Sequence, residues 1–481
     1  MYRDPVQSLE PQSSPAVAVA TRPLRVGMIG IGTVGAGTFR VLARNQAEIA
    51  GRAGRGIKLV MVCARSLARA MSVVGTDVAL TNDPMQVATH PDVDVLVEAA
   101  GGTGPAREWV LAAIRAGKHV VTANKALLAV HGNEIFAAAR QHGVAVAYEG
   151  AVAVSIPIVK ALREGLTANR IEWVAGIING TTNFILSEMR DKGLDFDVVL
   201  KEAQRLGYAE ADPTFDIEGV DAAHKVTIMS AIAFGIPVQF DKAYVEGITQ
   251  LSATDIKYAE QLGYRIKLLG ITKRVERTDA AGKSAGGIEL RVHPSLVPSK
   301  RLIANVEGAM NAVVVQGDAV GATLYYGKGA GSEPTASAVI ADLVDITRLH
   351  TVDPLNRVPH LAFQPHTLTD AMDALPVLPM SEVVTSYYLR LRVADQAGVL
   401  AKVTGLLAEA GVSIDAVLQR EADEVGGEGT GPDGTRSVPQ TDLIILTHDT
   451  REGTMDAVIA QMQALPTVLA PITRIRKEEL N

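Results

Sequence analysis

The 481 residues contain a single cysteine, Cys63, so no disulfide can form within the chain and a reducing compartment is expected. Aromatic residues are scarce at 4%, although a hydrophobic content of 47% is ample for burial. There is no basic surplus: a formal net charge of -7 argues against a nucleic-acid partner and leaves no basic face for anionic lipid. No apolar run reaches membrane-spanning length, and residues 1–22 lack the charged start and long apolar core of a signal peptide. Those residues are expected to be a disordered tail, and the protein to be cytoplasmic. The chain is too long for one core, and about two to four domains are expected.

What is present begins with a glycine turn. Leu24 to Gly30 is a short apolar strand that runs into G-I-G-T-V-G, placing Gly30, Gly32 and Gly35 at the G-x-G-x-x-G spacing. Thr33 and Val34 open a helix expected to reach Ile49. The first glycine makes the tight turn, the second lets backbone approach a pyrophosphate, and the third lets helix and strand pack closely. Amides at the helix N-terminus then bind the phosphates. A second strand, Ile57 to Ala64, leads to Arg65 and Ser66. No carboxylate stands there to repel a 2′-phosphate, and Arg65 can pair with one, which favours NADP over NAD. Cys63 lies inside this strand and reads as core. Strands at Val93–Val97 and His119–Thr122 alternate with helices, predicting a doubly wound α/β sheet of the Rossmann class. Ligands bind beyond the carboxyl ends of such strands, where Thr103, Asn124 and Lys125 fall.

The densest chemistry lies at Gly207 to Val226, GYAEADPTFDIEGVDAAHKV, which gathers Glu210, Asp212, Asp216, Glu218, Asp221 and Lys225. Pro213 disfavours helix in the residue before it, so the first half reads as an ordered acidic loop. Apolar spacing from Gly219 onward predicts a helix beginning near Val220. Asp221 and Lys225 then share a helix face while His224 points elsewhere. From local pattern alone, a solvated surface ion pair fits equally well. Upstream, a strand from Arg170 to Ile178 leads into N-G-T-T-N-F-I-L, whose amide and hydroxyl groups suit either a polar ligand or a helix N-cap. Later strands are expected near Ile288–Val292 and Ala312–Val315, before LYYGKGAGSEPTASAVIADLVD returns to a glycine turn and a helix.

In this order, GIGTVG, VTANKALLA, GIINGTTNFIL, GYAEADPTFDIEGVDAAHK and YGKGAGSEPTASAVIAD resemble homoserine dehydrogenase over residues 24–350. The resemblance implies reversible NAD(P)-dependent interconversion of L-homoserine and L-aspartate 4-semialdehyde, in the biosynthesis of threonine, methionine and isoleucine. It implies Lys225 as acid/base with Asp221 as its neighbour. Glu210, Asp216, Lys125, Gly207 and Thr181 are the substrate-binding candidates, Glu210 holding the amino group. The cofactor-binding candidates are Gly30, Gly32, Thr33, Val34, Gly35, Arg65, Thr103, Lys125 and Gly331. The segment matching Glu149–Pro157 is similar to a sodium- or potassium-binding loop, with Glu149, Val152, Val154 and Ile156 as oxygen ligands. That loop usually carries glycine where this chain has Val154 and Ser155, and valine resists a positive φ.

The chemistry independently suits these residue types. A lysine ammonium can donate the proton that an alkoxide needs and stabilise its charge, and for oxidation it must first be neutral. Two lysines near one site lower each other's pKa, whereas Asp221 raises that of Lys225, and the sequence leaves the balance open. Aspartate-semialdehyde dehydrogenase would share a substrate but needs an activated cysteine, and Cys63 sits in a strand. A non-catalytic threonine sensor is the reading outside enzymes; the intact set Asp221, Lys225, Glu210 and Lys125 speaks against it.

After residues 351–386, read as a linker, Tyr387 to Val393 alternates as a half-buried strand should. ADQAGVLAKVTGLLAEAGVSIDAVLQ adds a helix and a strand, Glu421 to Gln440 reads as a mobile loop, and Asp442–Thr447, Arg451–Leu465 and Ile472–Ile475 complete a β-α-β-β-α-β order. With D-x-x-G-V-L at Asp395 to Leu400, this resembles a ferredoxin-like ACT domain. The resemblance implies feedback inhibition by L-threonine at an interface of two such domains, with Asp395, Gly398 and Ile414 as contacts. The expected division is a tail (1–22), a Rossmann domain (23–150), an α+β catalytic and dimerisation domain (151–350), a linker (351–386) and an ACT domain (387–481). The helix near 332–348 is expected to return to the cofactor domain. The resemblance implies a homodimer paired through the middle sheet, and ACT pairing would extend it to a homotetramer.

Overall fold

The computed structural model describes residues 22–276, 286–349, 352–354, 357–364, 375–419 and 439–480. The expected tail, apart from Arg22, and the glycine- and acid-rich stretch at 421–440, apart from its last two residues, lie outside the described residues.

Six strands form the first sheet: β1 (Leu24–Ile29), β2 (Ile57–Cys63), β3 (Ala79–Thr81), β4 (Val95–Glu98), β5 (His119–Thr122) and β6 (Val146–Ala147). Every pairing is parallel and the order is β3-β2-β1-β4-β5-β6, the doubly wound arrangement of a Rossmann domain. Strands covered on both faces read as apolar runs rather than alternations, and β1 and β4 do. β3 escaped the sequence because three residues show no period. The helix expected to reach Ile49 is two helices, Thr33–Arg44 and Gln46–Ala53, parted at Asn45.

Eleven strands form the second sheet, which includes β7 (Ile171–Ile177), β8 (Tyr244–Val245), β9 (Tyr264–Val275), β10 (Gly287–Pro298), β11 (Met310–Gly317) and β12 (Gly321–Lys328). It continues through β13 (Val384–Ala394), β14 (Ile414–Gln419), β15 (Gln440–Thr447), β16 (Thr450–Arg451) and β17 (Thr473–Lys477). The order is β12-β11-β7-β9-β10-β17-β13-β15-β14, with β8 beside β10 and β16 beside β13. The last strand, β17, pairs with β10 at Ser295 and Leu296 on one side and with β13 on the other. The C-terminal strands therefore prolong the middle sheet. With helices Val399–Glu409 and Glu452–Gln463 they follow the expected β-α-β-β-α-β order.

Helix Val220–Phe234 lies between this sheet and the cofactor-binding half. It packs on β9 and β10 and on helix Lys125–Gln141, which is why an almost uniformly apolar helix is buried nearly end to end. Helix Ser332–Leu349 crosses back onto Thr33–Arg44. Ser332 Oγ donates to the Thr33 carbonyl at 2.8 Å, and Arg44 pairs with Glu333. Residues 357–364 pack beneath β6, where the Val146 amide donates to His360 Nε2 at 3.1 Å. Among the described residues no helix is long and apolar enough to cross a membrane.

Candidate active site

The carboxyl ends of β1, β4 and β5 build the cofactor side. Gly30 leaves β1 with φ 98°, and a methyl group there would stand 2.7 Å from the Ala99 carbonyl oxygen. A methyl on Gly35 would collide with the Gly30 carbonyl, so the third glycine of the motif is sterically required. At Gly32 a methyl would meet nothing within 4 Å, leaving room for a ligand against the backbone. The helix that follows has no side-chain cap and no acidic residue in its first turn. Its free amides and positive dipole end suit a pyrophosphate, so the residues present fit a dinucleotide. Thr33 and Val34 stand at this helix start, Arg65 is exposed just past β2, and Thr103 is the N-cap of helix Gly104–Arg115. Gly331, with φ 132°, immediately precedes Ser332, whose hydroxyl reaches Thr33; the far glycine turn thus meets the near one.

A buried carboxylate organises this edge. Glu98 ends β4 with no exposed surface, accepts the amides of Ala100 and Gly101 at 2.9 Å each, and accepts the Thr122 hydroxyl at 2.8 Å. Asn124 caps helix Lys125–Gln141 through Leu127 N and donates to the Gly102 carbonyl at 2.7 Å. Lys125 therefore begins that helix with its backbone fixed on both sides. Glu98 and Thr122 were not singled out from the sequence. A carboxylate closing an otherwise apolar strand was the available signal.

Opposite, helix Val220–Phe234 starts at Gly219, φ 83°, and carries Asp221 and Lys225 on one face. Lys225 Nζ donates to Asp221 Oδ2 and to the Ile178 carbonyl, both at 2.7 Å, and both side chains are under a tenth exposed. The solvated-pair reading is thereby overturned. Lys125 Nζ lies 2.9 Å from Asp221 Oδ1, so one carboxylate bridges two lysines from different helices. Asn179 caps helix Gly180–Lys192 and also donates its amide to Asp216 at 2.7 Å and to Asp221 at 2.8 Å. The N-cap reading of the N-G-T-T-N stretch holds at Asn179, whose amide also ties two carboxylates together. Thr181 Oγ1 lies 3.2 Å from Asp216 and donates to the Tyr208 carbonyl at 2.8 Å. Gly207, φ 78°, and Glu210 are exposed on the loop leading in. His224 turns away, its ring edge-on to Phe215 and Phe240.

The electrostatics follow from this packing. Burial opposes ionisation of Asp221, but Lys225 and Lys125 outweigh it and hold the carboxyl well below its usual range. Burial lowers the Lys225 ammonium; Asp221 pulls it up, Lys125 pushes it down, and the net direction is down. Burial and the neighbouring Asp221 raise Asp216. Burial brings His224 down to about 4.

A family model described as homoserine dehydrogenase matches residues 157–344, and one described as its NAD binding domain matches residues 30–149. A homoserine dehydrogenase of Pseudomonas aeruginosa is 57% identical over 460 residues, which are 96% of this chain and 100% of that protein. The chain belongs to the homoserine dehydrogenase family. The Neisseria gonorrhoeae homoserine dehydrogenase is 53% identical over the same shares. A crystal structure of a homoserine dehydrogenase from Thiobacillus denitrificans superposes with a TM-score of 0.86 at 60% identity, covering 96% of this chain and 99% of that one. An ACT domain model matches residues 387–467.

Two further groups implied by the homoserine dehydrogenase resemblance sit away from this cluster. In the cation-loop candidate, Glu149 Oε1 and Oε2 accept the Val159 and Lys160 amides at 2.9 Å each, and burial lifts the carboxyl to about 7 against those amides. Val152 and Ile156 are buried beside Val154, which adopts φ 44° after Ala153 at φ 51°. The expectation that valine would resist this conformation is corrected. Ser155 holds the turn by donating its amide and its hydroxyl to the Lys328 carbonyl, and Ile156 N closes it on Ala153 O. Of the effector candidates, Asp395 follows β13 and Gly398, φ 88°, starts helix Val399–Glu409. Ile414 pairs with Thr447, at the opposite end of β15 from the Gln440 that pairs with Ala394, so one chain does not bring it to Asp395.

Proposed function

We propose that Lys225 exchanges the proton of the substrate hydroxyl while Asp221 and Lys125 hold it in place. The bridge from half-buried Lys125 through buried Asp221 to buried Lys225 carries this reading. The family's reaction is the NAD(P)-dependent interconversion of L-homoserine and L-aspartate 4-semialdehyde. The bound nicotinamide supplies the hydride acceptor, and Gly30 to Gly35, Thr103, Lys125 and Gly331 would hold the dinucleotide. Removing a hydride leaves an aldehyde only if the hydroxyl proton also departs, so neutral Lys225 takes that proton in oxidation and returns it in reduction. Burial lowers the cost of its neutral form, and its bonds to Asp221 and the Ile178 carbonyl leave one Nζ position for the substrate oxygen. Lys125, a third exposed, adds positive charge where the alkoxide develops. Glu210 and Asp216 receive the amino group, with Thr181 and Asn179 fixing Asp216 and Gly207 shaping the approach.

Arg65 after a strand end without a carboxylate favours NADP. Carbonyls of Val152, Val154 and Ile156 with Glu149 form the sodium or potassium loop. Among the described residues no three His, Cys, Asp or Glu side chains converge on a metal position, so such a cation would depend on backbone oxygens. L-Threonine acts at paired ACT domains through Asp395, Gly398 and Ile414 of a dimer or tetramer.

The test is homoserine-dependent NADP reduction by wild type and Lys225→Ala, with and without L-threonine. The variant should bind cofactor normally and lose about 10²- to 10⁴-fold in kcat. Retained turnover would remove Lys225 from the proton step. Unaltered wild-type rates in saturating threonine would remove the effector assignment.

A further inference from the structure

The substrate-side loop is linked to the C-terminal strand through the segment Glu246–Ile248. Ile217, Glu218 and Gly219 form the turn between short helix Thr214–Ile217, which carries Asp216, and helix Val220–Phe234, which carries Asp221 and Lys225. This turn lies directly on Glu246–Ile248. The Ile248 amide donates to the Ile217 carbonyl at 2.9 Å. A methyl on Gly247 would collide with that carbonyl and stand 2.6 Å from Glu218 Cα, and one on Gly219 would be 3.5 Å from the Glu246 carbonyl. The two segments are thus in direct backbone contact at Gly247.

The Glu246 end is gripped from the far domain. Arg476 of β17, fully buried, donates Nη1 to Glu246 Oε2 at 2.7 Å and Nη2 to the Tyr244 hydroxyl at 3.0 Å. Tyr244 donates to the same Glu246 oxygen at 2.7 Å, and the guanidinium lies 4.9 Å from its ring centre. Arg476 Nε and Nη2 also donate to Glu452, the first residue of helix Glu452–Gln463. One guanidinium therefore ties a C-terminal-domain helix to the strut beneath the active-site turn.

We propose that Arg476 and Glu246 are positioning residues for the substrate pocket, setting the position of Asp216 from the C-terminal domain through the contacts at Ile217 and Glu218. This rests on the reading of that turn as the substrate side. A small displacement of substrate groups weakens productive binding without altering cofactor contacts. The expected signature is a selective change in the KM for homoserine.

The experiment uses the full-length enzyme with Glu246→Gln, which keeps shape and one acceptor but removes the charge that Arg476 grips. Homoserine KM should rise about fivefold, while kcat stays within about twofold and NADP KM is unchanged. Tyr244→Phe, which deletes only the shared hydroxyl, should move homoserine KM in the same direction and decides the matter if Glu246→Gln does not fold. Combining Glu246→Gln with Asp216→Asn should raise KM by less than the product of the single effects. An unchanged homoserine KM in folded Glu246→Gln or Tyr244→Phe, or equal losses in kcat and in both KM values, overturns the proposal. Asp216→Asn alone reports on the site reading: if it leaves homoserine KM unmoved, that reading falls whatever Glu246→Gln does.

Discussion

Lys225 is pulled three ways, and the outcome determines its chemistry. Burial and Lys125 favour the neutral amine, Asp221 favours the ammonium, and the balance lies below the ordinary lysine value. Since oxidation needs the neutral amine, the rate of homoserine oxidation should climb toward alkaline pH with a midpoint below 10.5, the ordinary value. A flat profile between about pH 6 and 10 would contradict a titrating lysine. Asp221→Asn removes the larger of the two carboxylate influences that raise Lys225, leaving only Asp216, so the alkaline limb should move to lower pH, and a shift to higher pH would reverse the assigned sign. The i,i+4 pairing of Asp221 with Lys225 was legible because helix geometry brings such residues together. The Lys125 contact was not, since it joins residues on two helices far apart in sequence and depends on how those helices pack. Asn179 was legible as a cap but not as the donor to two carboxylates, because the second partner comes from a distant loop.

At the level of elements, periodicity located what it should and missed what is covered by something remote. The expected strand Ile288–Val292 is the twelve-residue β10, buried along its whole length. Glu289, Arg291, His293 and Ser295 alternate through it like a solvated face, yet Glu478 from the chain's end closes over Arg291. The segment at 357–364 offers a test of another remote contact. His360 is half-buried, stacks on Phe136 at 5.3 Å and accepts the Val146 amide through Nε2, which requires that nitrogen to be unprotonated. Burial pushes its pKa down to about 3 from 6.5, so the folded state binds fewer protons than the unfolded state across that window. Its contribution is complete above about pH 6.5 and is lost as pH falls toward 3, at most about 1.4 kcal/mol per pH unit. Hydrogen exchange at the Val146 amide, corrected for intrinsic rates, should show protection declining below pH 6. Constant protection down to pH 4 would show that His360 titrates normally or does not hold β6.

Across the molecule, most of the Rossmann sheet, three strands of the middle sheet and the C-terminal β-α-β-β-α-β order could be read from pattern, but β8, β9, β12 and the junctions between the sheets could not. Pairing of β17 with β10 leaves no sequence signature, because it joins a strand near 295 to one near 476 through register alone. It turns an expected tethered regulator into part of one eleven-stranded sheet. Buried charge reinforces the joint. Asp255, with no exposed surface, accepts Arg390 Nε at 2.6 Å, Arg390 Nη2 at 3.0 Å and the Tyr388 hydroxyl at 3.2 Å, while also closing the capping box of helix Ala253–Gln261 with Ser252. Cutting such a pair strands the partner charge, at a cost of about 3–5 kcal/mol. If the joint were a loose tether, Asp255→Ala would split calorimetric unfolding into an early C-terminal transition and a later one near the wild-type temperature. A shared sheet gives the other outcome: the middle and C-terminal elements unfold in one transition in wild type, and the variant moves that transition down as a unit. Calorimetry of both proteins at one pH separates these cases, and a C-terminal transition that shifts alone would show that β10 and β17 do not fold together.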